Sequence, residues 1–497
     1  MPLPVDTIEG VVWSQGWQLS YLHPPMQAWL LGATDWLVGY ERWAIYLLSQ
    51  LLIATGFWAV WRLAGLIVTP LGVLVSVLML EGVVFFNFMT PNLFPDLIEL
   101  PFWALATWSL YRALRFGRLL DWVLLSLWLA GAAYAKYVGA VLAMIMIAFM
   151  LIEPQARRCW RTAGPYLAAG LCLVLLSPHL WWVSQHGFPT VPRFGDSARP
   201  TGGIVERLTA LSGFTSGELG LVALAGLLVV ALGSVRSGGK PVPLAGAPTL
   251  FDRRFVAAFA LGPILLTWIA AAASGLWFRI HWGYAMWSFV GLFAVIFLVP
   301  RVDERGLRRF RRAWAGTFLL IAAVYAGTGT LIPYLRGKDG HHLLARYHKE
   351  AAFPSEDLAE TITRLWHEKV GDRVAYVIGS KWVAGHVSFF SPDHPLVLRD
   401  GRPTDSPWID TDDVRQHGAV VVWDPETDLK AGGSYPGWLA GGNPQQRFPT
   451  MEIQPSIVMP WKTGAALPPL QVMWGIIYPD RRAASGATPT AAPLRSA

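Results

Sequence analysis

The sequence predicts an all-α polytopic membrane protein with a small α/β domain towards its C-terminal end. Three observations support this fold class: the composition, a series of long apolar runs, and a change of pattern after residue 334. Of the 497 residues, 54% are hydrophobic and only 15% are charged, and the mean hydropathy is +0.40. Soluble domains carry about 25% charged residues, so this composition excludes a purely soluble enzyme.

Ten apolar runs have the length that a helix needs to cross a bilayer, about 17–25 residues. We therefore predict a transmembrane helical bundle over residues 41–334, preceded by a first loop with interfacial helices over residues 1–40. The runs lie at 41–62, 67–87, 97–115, 119–135, 137–153, 163–183, 214–235, 255–274, 284–300 and 313–334.

Basic residues cluster at alternate ends of these runs, which predicts the orientation because cytoplasmic loops are rich in Lys and Arg. We expect the N-terminus and the region after residue 334 to face outward, and a further helix ahead of residue 1; the alternative to that helix is the reverse orientation. The net charge of +7 is explained by these clusters, so we expect membrane lipids and no nucleic acid as partners. The cytoplasmic clusters are Arg62; Arg112, Arg115 and Arg118; Arg157, Arg158 and Arg161; Arg236, Lys240, Arg253 and Arg254; and Arg301, Arg305, Arg308, Arg309, Arg311 and Arg312.

The region 335–482 alternates helix-like and strand-like segments, which predicts a small outward α/β domain. Its clearest elements are a helix at Glu356–Lys369 and strands at Val374–Gly379 and Ala419–Trp423. The last residues, 483–497, are rich in Ala, Ser, Thr and Pro and are predicted to be disordered. The stretch Pro189–Arg207 is either a lid over a site or a plain surface loop.

Two acids, Asp6 and Glu9, stand in an otherwise uncharged segment near the N-terminus. Residues three apart share one face of a helix, so the pair is a candidate for chemistry. A helix cap by Asp6, with Glu9 completing a capping box, is the alternative.

Asp96, Glu99 and Lys136 occupy the outward ends of apolar runs. A carboxylate at the depth of Glu99 is costly unless it is paired, hydrated or faces a cavity. Asp96 is a candidate functional acid, with an N-cap role before a helix over 97–110 as the alternative. Lys136 stands at the apex between two short runs, where its ammonium can pair with an acid, bind a phosphate or reach lipid headgroups.

Further basic and aromatic groups are predicted on the same outward face: His179, Arg279 and His281. Carboxylates can act as a general base on a hydroxyl, and cations stabilise charge on a departing phosphate. This combination favours a lipid-phosphate substrate. Asp6, Glu9 and the outward histidines offer ligands for a divalent metal, but no ligand spacing requires one. We expect no required cofactor.

An ordered series of motifs runs through the first 300 residues and continues into the outward domain. It comprises Asp6-x-x-Glu9-x-x-Val12-Trp13-x-Gln15; Tyr21-x-His23-Pro24-Pro25-x-x-x-Trp29; Asp96 followed by Pro101-Phe102-Trp103-Ala104; Ala135-Lys136-Tyr137; Pro178-His179-Leu180-x-Trp182; His281-Trp282-Gly283-Tyr284-x-Met286-Trp287; and Tyr376-Val377-Ile378-Gly379-x-x-Trp382-x-Ala384-Gly385. This series resembles glycosyltransferase family 39, and within it the bacterial enzymes that modify lipopolysaccharide core or lipid A, such as the dodecaprenyl-phosphate galacturonic acid transferases.

The resemblance implies a GT-C-like helical bundle that performs an inverting sugar transfer at the outer face of the bacterial cytoplasmic membrane. The donor would be a polyprenyl-phosphate-linked sugar, and the acceptor a glycolipid or a protein. Asp6 matches the family's base and Asp96 its second acidic position. The substrate-binding candidates are Glu9, His23, Lys136, His179, Arg279 and His281; His23 stands where the lipid A aminoarabinose branch often has Lys. A lipid-linked saccharide transporter and a noncatalytic scaffold of envelope assembly are the alternatives.

Overall fold

The computed structural model describes residues 2–21, 23–187, 202–233, 241–276, 278–330, 352–430, 437–440, 442, 444–462 and 469–480. The chain divides into two compact units. The first, called the sheet unit below, comprises Met1–Gln18, Ala28–Ala44 and Ala326–Ala497. The second, the helical unit, comprises Leu19–Gln27 and Ile45–Tyr325.

Helices contain most of the described residues between 5 and 330, and every apolar run predicted to span the membrane overlaps one. The α-helices are α1 (Val5–Ser14), α2 (Met26–Val38), α3 (Arg42–Ala64), α4 (Pro70–Leu78), α5 (Pro95–Phe116), α6 (Leu119–Ala135), α7 (Gly139–Ile152), α8 (Gly164–Gln185), α9 (Ile204–Leu221), α10 (Ala223–Leu232), α11 (Leu250–Ser274), α12 (Val290–Phe293) and α13 (Glu304–Thr330). Short 3-10 helices lie at Met79–Gly82, Val84–Phe86, Ala156–Arg161 and Ile280–Trp287. Two short strands, β1 (Val242–Pro243) and β2 (Arg301–Val302), pair with each other in an antiparallel manner.

Three of the described helices, α3, α8 and α11, are each long and apolar enough to cross a membrane. Two broken pairs raise that number to five if each pair is one span: α9 with α10, bent by 50°, and Ile280–Trp287 with Val290–Leu298, bent by 56°. The described helices thus support a membrane location. The total of about ten spans stays a prediction.

Capping residues explain where the long helices of the helical unit begin and end. Thr249 and Asp252 form a capping box at the start of α11, which satisfies backbone N–H groups that have no partner in the helix. Gly117 ends α5 and Gly275 ends α11, both in the left-handed conformation that glycine adopts without steric cost. Tyr111 of α5 donates a 2.7 Å hydrogen bond to Asp252 and so joins the two helices.

The sheet unit contains a six-stranded mixed sheet with the order β4-β3-β5-β8-β6, and β7 also pairs with β8. Strands β3, β4 and β5 are parallel, and β8 is antiparallel to its neighbours. The predicted helix and the two predicted strands of this region are present as α14, β3 and β5. The elements are α14 (Ser355–Val370), β3 (Tyr376–Gly379), α15 (Val383–Phe390), β4 (Leu396–Arg399), α16 (Thr411–His417), β5 (Ala419–Trp423), α17 (Pro444–Arg447), β6 (Glu452–Ile453), β7 (Ile457–Met459) and β8 (Leu470–Ile477).

Helix α1 belongs to this unit and packs against the sheet's edge strand β4 and helix α15. The side chain of Gln15, which follows α1, accepts a hydrogen bond from Val397 N (2.9 Å) and donates one to Ser388 Oγ (3.0 Å). An amide that pairs with backbone in this way satisfies part of an otherwise open sheet edge. Val12 of α1 lies in the same apolar core as Trp366 and Val420.

Some predictions fall wholly or partly outside the described residues. The stretch Pro189–Arg207 is described only from residue 202, and the predicted tail 483–497 is not described. The predicted boundaries at residues 40, 334 and 482 stay predictions.

Candidate active site

Asp96 and Lys136 form a buried ion pair in the helical unit. The ammonium of Lys136 contacts Asp96 Oδ1, and the side chains are 16% and 5% exposed. Of the roles that the sequence left open for Lys136, the structure shows the pair with an acid. A cation held in this way still offers further N–H donors, because an ammonium carries three.

The local sequence explains why both side chains reach this place. Phe94, not Asp96, is the N-cap of α5; Pro95 takes the first helical position, so the predicted N-cap role of Asp96 is wrong. Asp96 lies in the first turn, where the helix dipole favours a negative charge. Lys136 follows the last residue of α6 in an extended conformation, which ends that helix and turns its side chain towards Asp96.

Glu99 lies one turn below Asp96 and is 1% exposed. Its Oε1 atom has no hydrogen-bond partner among the residues that the structure describes, and Lys136 and Asp96 are its charged neighbours. The cluster therefore brings two acidic side chains to one ammonium group, in surroundings where charge is costly.

The 3-10 helix Ile280–Trp287 forms one wall of this cluster. Lys136 Nζ lies 5.8 Å from the centre of the Trp282 ring, a distance at which a cation is attracted to an aromatic face. Tyr284 is fully buried, donates a hydrogen bond to Phe85 O and packs against Phe94, the residue that caps α5. This segment thereby supports both partners of the ion pair.

His179 is buried and both of its ring nitrogens are engaged. Nδ1 lies 2.9 Å from Leu19 O, and Nε2 lies 2.9 Å from Tyr137 Oη. A carbonyl only accepts, so Nδ1 carries a proton, and the neutral ring then accepts from the Tyr137 hydroxyl. His179 thus fixes the residue next to Lys136.

The other predicted residues of this unit lie on segments joined to the same cluster. His23 stands four residues before Gln27, whose side chain donates a 2.8 Å hydrogen bond to Leu93 O just ahead of α5. Arg279 and His281 flank the start of the 3-10 helix that carries Trp282, and both are half-buried.

Asp6 and Glu9 belong to the sheet unit and lie one turn apart on α1. The capping interpretation is wrong, because Pro4 is the N-cap and no side chain caps this end. Asp6 is half-buried, whereas Glu9 is 5% exposed. Lys381 Nζ donates to Glu9 Oε2 over 2.6 Å, and Arg399 Nη2 lies 3.6 Å from Glu9 Oε1.

The helical unit's cluster falls inside a region that matches a known family. Residues 22–182 match the sequence model of dolichyl-phosphate-mannose-protein mannosyltransferase. The fold is similar to the crystal structure of ArnT from Cupriavidus metallidurans in the apo state, with a TM-score of 0.54 and 14% identity, over 95% of this chain and 92% of ArnT. No curated protein sequence matches significantly.

Over residues 22–182 the chain is similar to a family of membrane mannosyltransferases, and its fold is similar to that of ArnT. The predicted family resemblance is thereby confirmed, and the match supports a membrane glycosyltransferase. The matched region contains His23, Asp96, Lys136 and His179; the roles of these and the other site residues stay proposals.

The sequence did not predict several of the side chains that surround the candidate residues. Lys381 follows β3 and Arg399 ends β4, and the carboxyl ends of parallel strands commonly form sites. The sequence alone does not reveal this, because the order of the strands in the sheet must be known first. Burial raises the pKa of Asp400, beside Arg399, and the neighbouring guanidinium acts in the opposite direction. Among the described residues, no three His, Cys, Asp or Glu side chains are arranged to hold a metal ion.

Proposed function

We propose that this chain is an inverting glycosyltransferase that moves a sugar from a polyprenyl-phosphate donor to an acceptor at the outer face of the bacterial cytoplasmic membrane. The acceptor is a glycolipid, such as lipopolysaccharide core or lipid A, or a protein. The observation that carries the proposal is the buried Asp96–Lys136 pair within a family-matched helical unit. The family match over residues 22–182 favours a transferase over a transporter or a scaffold.

In the proposed mechanism Asp6 is the general base that takes the proton from the acceptor hydroxyl as that oxygen attacks the sugar's anomeric carbon. The bond from this carbon to the donor phosphate breaks, and the polyprenyl phosphate leaves with the electron pair. Lys136, oriented by Asp96 and Trp282, stabilises the charge that develops on the departing phosphate. A phosphate leaving group needs no protonating acid, so one base and a cation suffice.

The remaining candidates receive binding roles in this proposal. Arg279 and His281 would contact the donor from the segment that carries Trp282, and His23 from the loop tied to Leu93. His179 would act by holding Tyr137 beside Lys136. The proposed mechanism requires no metal or other cofactor; whether transfer changes on adding a chelator and Mg²⁺ tests that expectation.

Asp6→Asn tests the base directly. We expect at least about 100-fold less transfer, with unchanged protein abundance, because an amide cannot accept the acceptor's proton. The measurement is mass spectrometry of glycolipids and envelope proteins from cells that express the full chain, searched for a hexose- or uronate-sized addition. The matched control is Asp372→Asn, an exposed carboxylate of the sheet unit that should retain full transfer.

Two results would contradict the proposal. Equal product from the Asp6→Asn variant and the unmodified chain would remove Asp6 from the mechanism. No added mass on any glycolipid or protein, despite stable membrane insertion and a supply of polyprenyl-phosphate sugars, would contradict the transferase activity itself.

A further inference from the structure

We propose that Glu9, Lys381 and Arg399 form a clamp that positions Asp6, and that Glu9 is a positioning residue instead of a substrate ligand. The inference rests on the proposed function, since it assigns Asp6 the role of base. The three clamp residues lie in the sheet unit, although residues 9 and 381 are separated by most of the chain.

The clamp brings one cation towards each oxygen of the Glu9 carboxylate. Lys381 Nζ contacts one carboxylate oxygen at 2.6 Å and Arg399 Nη2 lies 3.6 Å from the other. The Glu9 side chain is only 6% exposed, against 26% for Lys381 and 12% for Arg399. A buried carboxylate that faces two cations of its own chain is neutralised within the protein and needs no substrate group as its partner.

Arg399 also contacts α1 one turn after Glu9. Its guanidinium lies 5.8 Å from the Trp13 ring, and Trp13 is 1% exposed. Positions four apart share a helix face, so Glu9 and Trp13 present one face of α1 to the same arginine. Asp400 Oδ2, 3.6 Å from Arg399 Nε, balances the second positive charge.

Helix α1 needs such contacts because it has little stability of its own. It has ten residues, no side-chain N-cap and no basic residue in its last turn. Isolated helices shorter than about 12–15 residues are marginal in water. The clamp and the hydrogen bonds of Gln15 fix the helix against rotation, and rotation is the motion that would redirect Asp6.

The position of the clamp in the sheet has a known use in α/β folds. Lys381 lies two residues beyond β3 and Arg399 is the last residue of β4. Strand β3 lies between its parallel neighbours β4 and β5, so the connections that leave β3 and β4 run in opposite directions across the sheet. Ligands bind at the carboxyl ends of strands at such a point. Here the Glu9 carboxylate of α1 lies against residues at the carboxyl ends of β3 and β4.

Steady-state kinetics of the full-length protein in liposomes test the clamp, with polyprenyl-phosphate sugars extracted from bacterial membranes as donor. We expect Glu9→Gln and Lys381→Gln each to lower kcat at least about tenfold, because small misplacements of a reacting group are costly. KM for the donor should stay within about twofold, and Lys381→Arg should restore most of kcat. Glu356→Gln is the matched control, since it removes a carboxylate from a separate ion-pair group, Arg42 and Lys462, and should retain kcat.

The double variant Asp6→Asn with Glu9→Gln decides whether the clamp acts through Asp6. We expect it to be no slower than Asp6→Asn alone, because displacing a base that is already disabled costs nothing more. If the losses of kcat in the two single variants multiply in the double variant, the proposal is overturned. A raised KM with unchanged kcat, the signature of a substrate ligand, would also overturn it. If Glu9→Gln does not fold, the comparison of Lys381→Gln with Lys381→Arg tests the clamp instead. An inactive Asp6→Asn beside fully active clamp variants defeats only the clamp; a fully active Asp6→Asn removes the base from the proposed mechanism, and the clamp with it.

Discussion

The two candidate clusters, one in each unit, hold buried acids in different ways. In the sheet unit, Glu9 and Asp400 face Lys381 and Arg399, so the described cluster has equal numbers of acidic and basic side chains. In the helical unit, Asp96 and Glu99 share Lys136. The first arrangement suits a rigid support, since every charge has a counterpart. The second leaves an excess of acid around one ammonium, the kind of imbalance found where charge moves during chemistry.

Replacing Lys136 tests this difference most strongly. Lys136→Ala would leave two buried acids without their ammonium, so we expect transfer to fall by about 100-fold and donor binding to weaken. Lys136→Arg should restore part of both, because the positive charge is kept while the geometry changes. The measurement is donor titration of transfer by the purified protein. Equal loss of folded protein in both variants would instead indicate a purely structural pair.

Asp428 tests the cost of burying an acid in the sheet unit. It accepts hydrogen bonds from Asp424 N (2.8 Å) and Ser380 Oγ (3.4 Å), and burial raises its pKa to about 7. Because the folded pKa lies above the usual value of 3.8, the folded state binds more protons between pH 4 and 7. This group's contribution to stability is therefore lost as the pH rises through that window.

Asp428→Asn should remove this pH dependence. We expect the variant and the unmodified protein to have similar thermal midpoints near pH 4, and the variant to be more stable by up to a few kcal/mol at pH 8. Midpoints of the purified protein at both pH values supply the comparison. A stability difference that does not grow between pH 4 and 8 would contradict the assignment.

Glu99→Gln gives the smallest expected effect and sharpens the contrast with Glu9→Gln. Removing one of two acids around Lys136 relieves the imbalance, so we expect a gain of about 1 kcal/mol in stability. Glu9→Gln should lower stability, because it leaves Lys381 and Arg399 without that carboxylate. Thermal midpoints of the two variants, measured under the same conditions, test the contrast; two shifts of the same sign would contradict it.

The resemblance of sequence motifs predicted the family and several acids and bases of the candidate site, but not how they pair. The spacing of apolar runs placed Lys136 at a turn between α6 and α7, and the pattern Pro95-Asp96 lies at the start of α5. These are local signals, carried by residues close in sequence. The choice of Asp96 as the partner of Lys136, with Glu99 one turn deeper, depends on how α5 and α6 pack together.

The sheet unit shows more clearly which contacts the sequence cannot predict. Strands β3 and β5 were predicted from their apolar runs, since a strand buried on both faces reads as continuous hydrophobic sequence. Nothing local predicts that Gln15 pairs with β4 or that Lys381 and Arg399 meet Glu9, because those contacts join segments more than 370 residues apart.

By itself, the sequence determined that this is a membrane protein with helices over its apolar runs, since both properties follow from composition and short-range pattern. Only the tertiary structure decided which charges neutralise one another. A buried carboxylate is stabilised by whichever cation the fold brings within a few ångströms, and that proximity is created by packing among distant segments. Glu9 and Asp96 look alike in the sequence, yet one is held within a balanced clamp and the other shares an ammonium with a second acid.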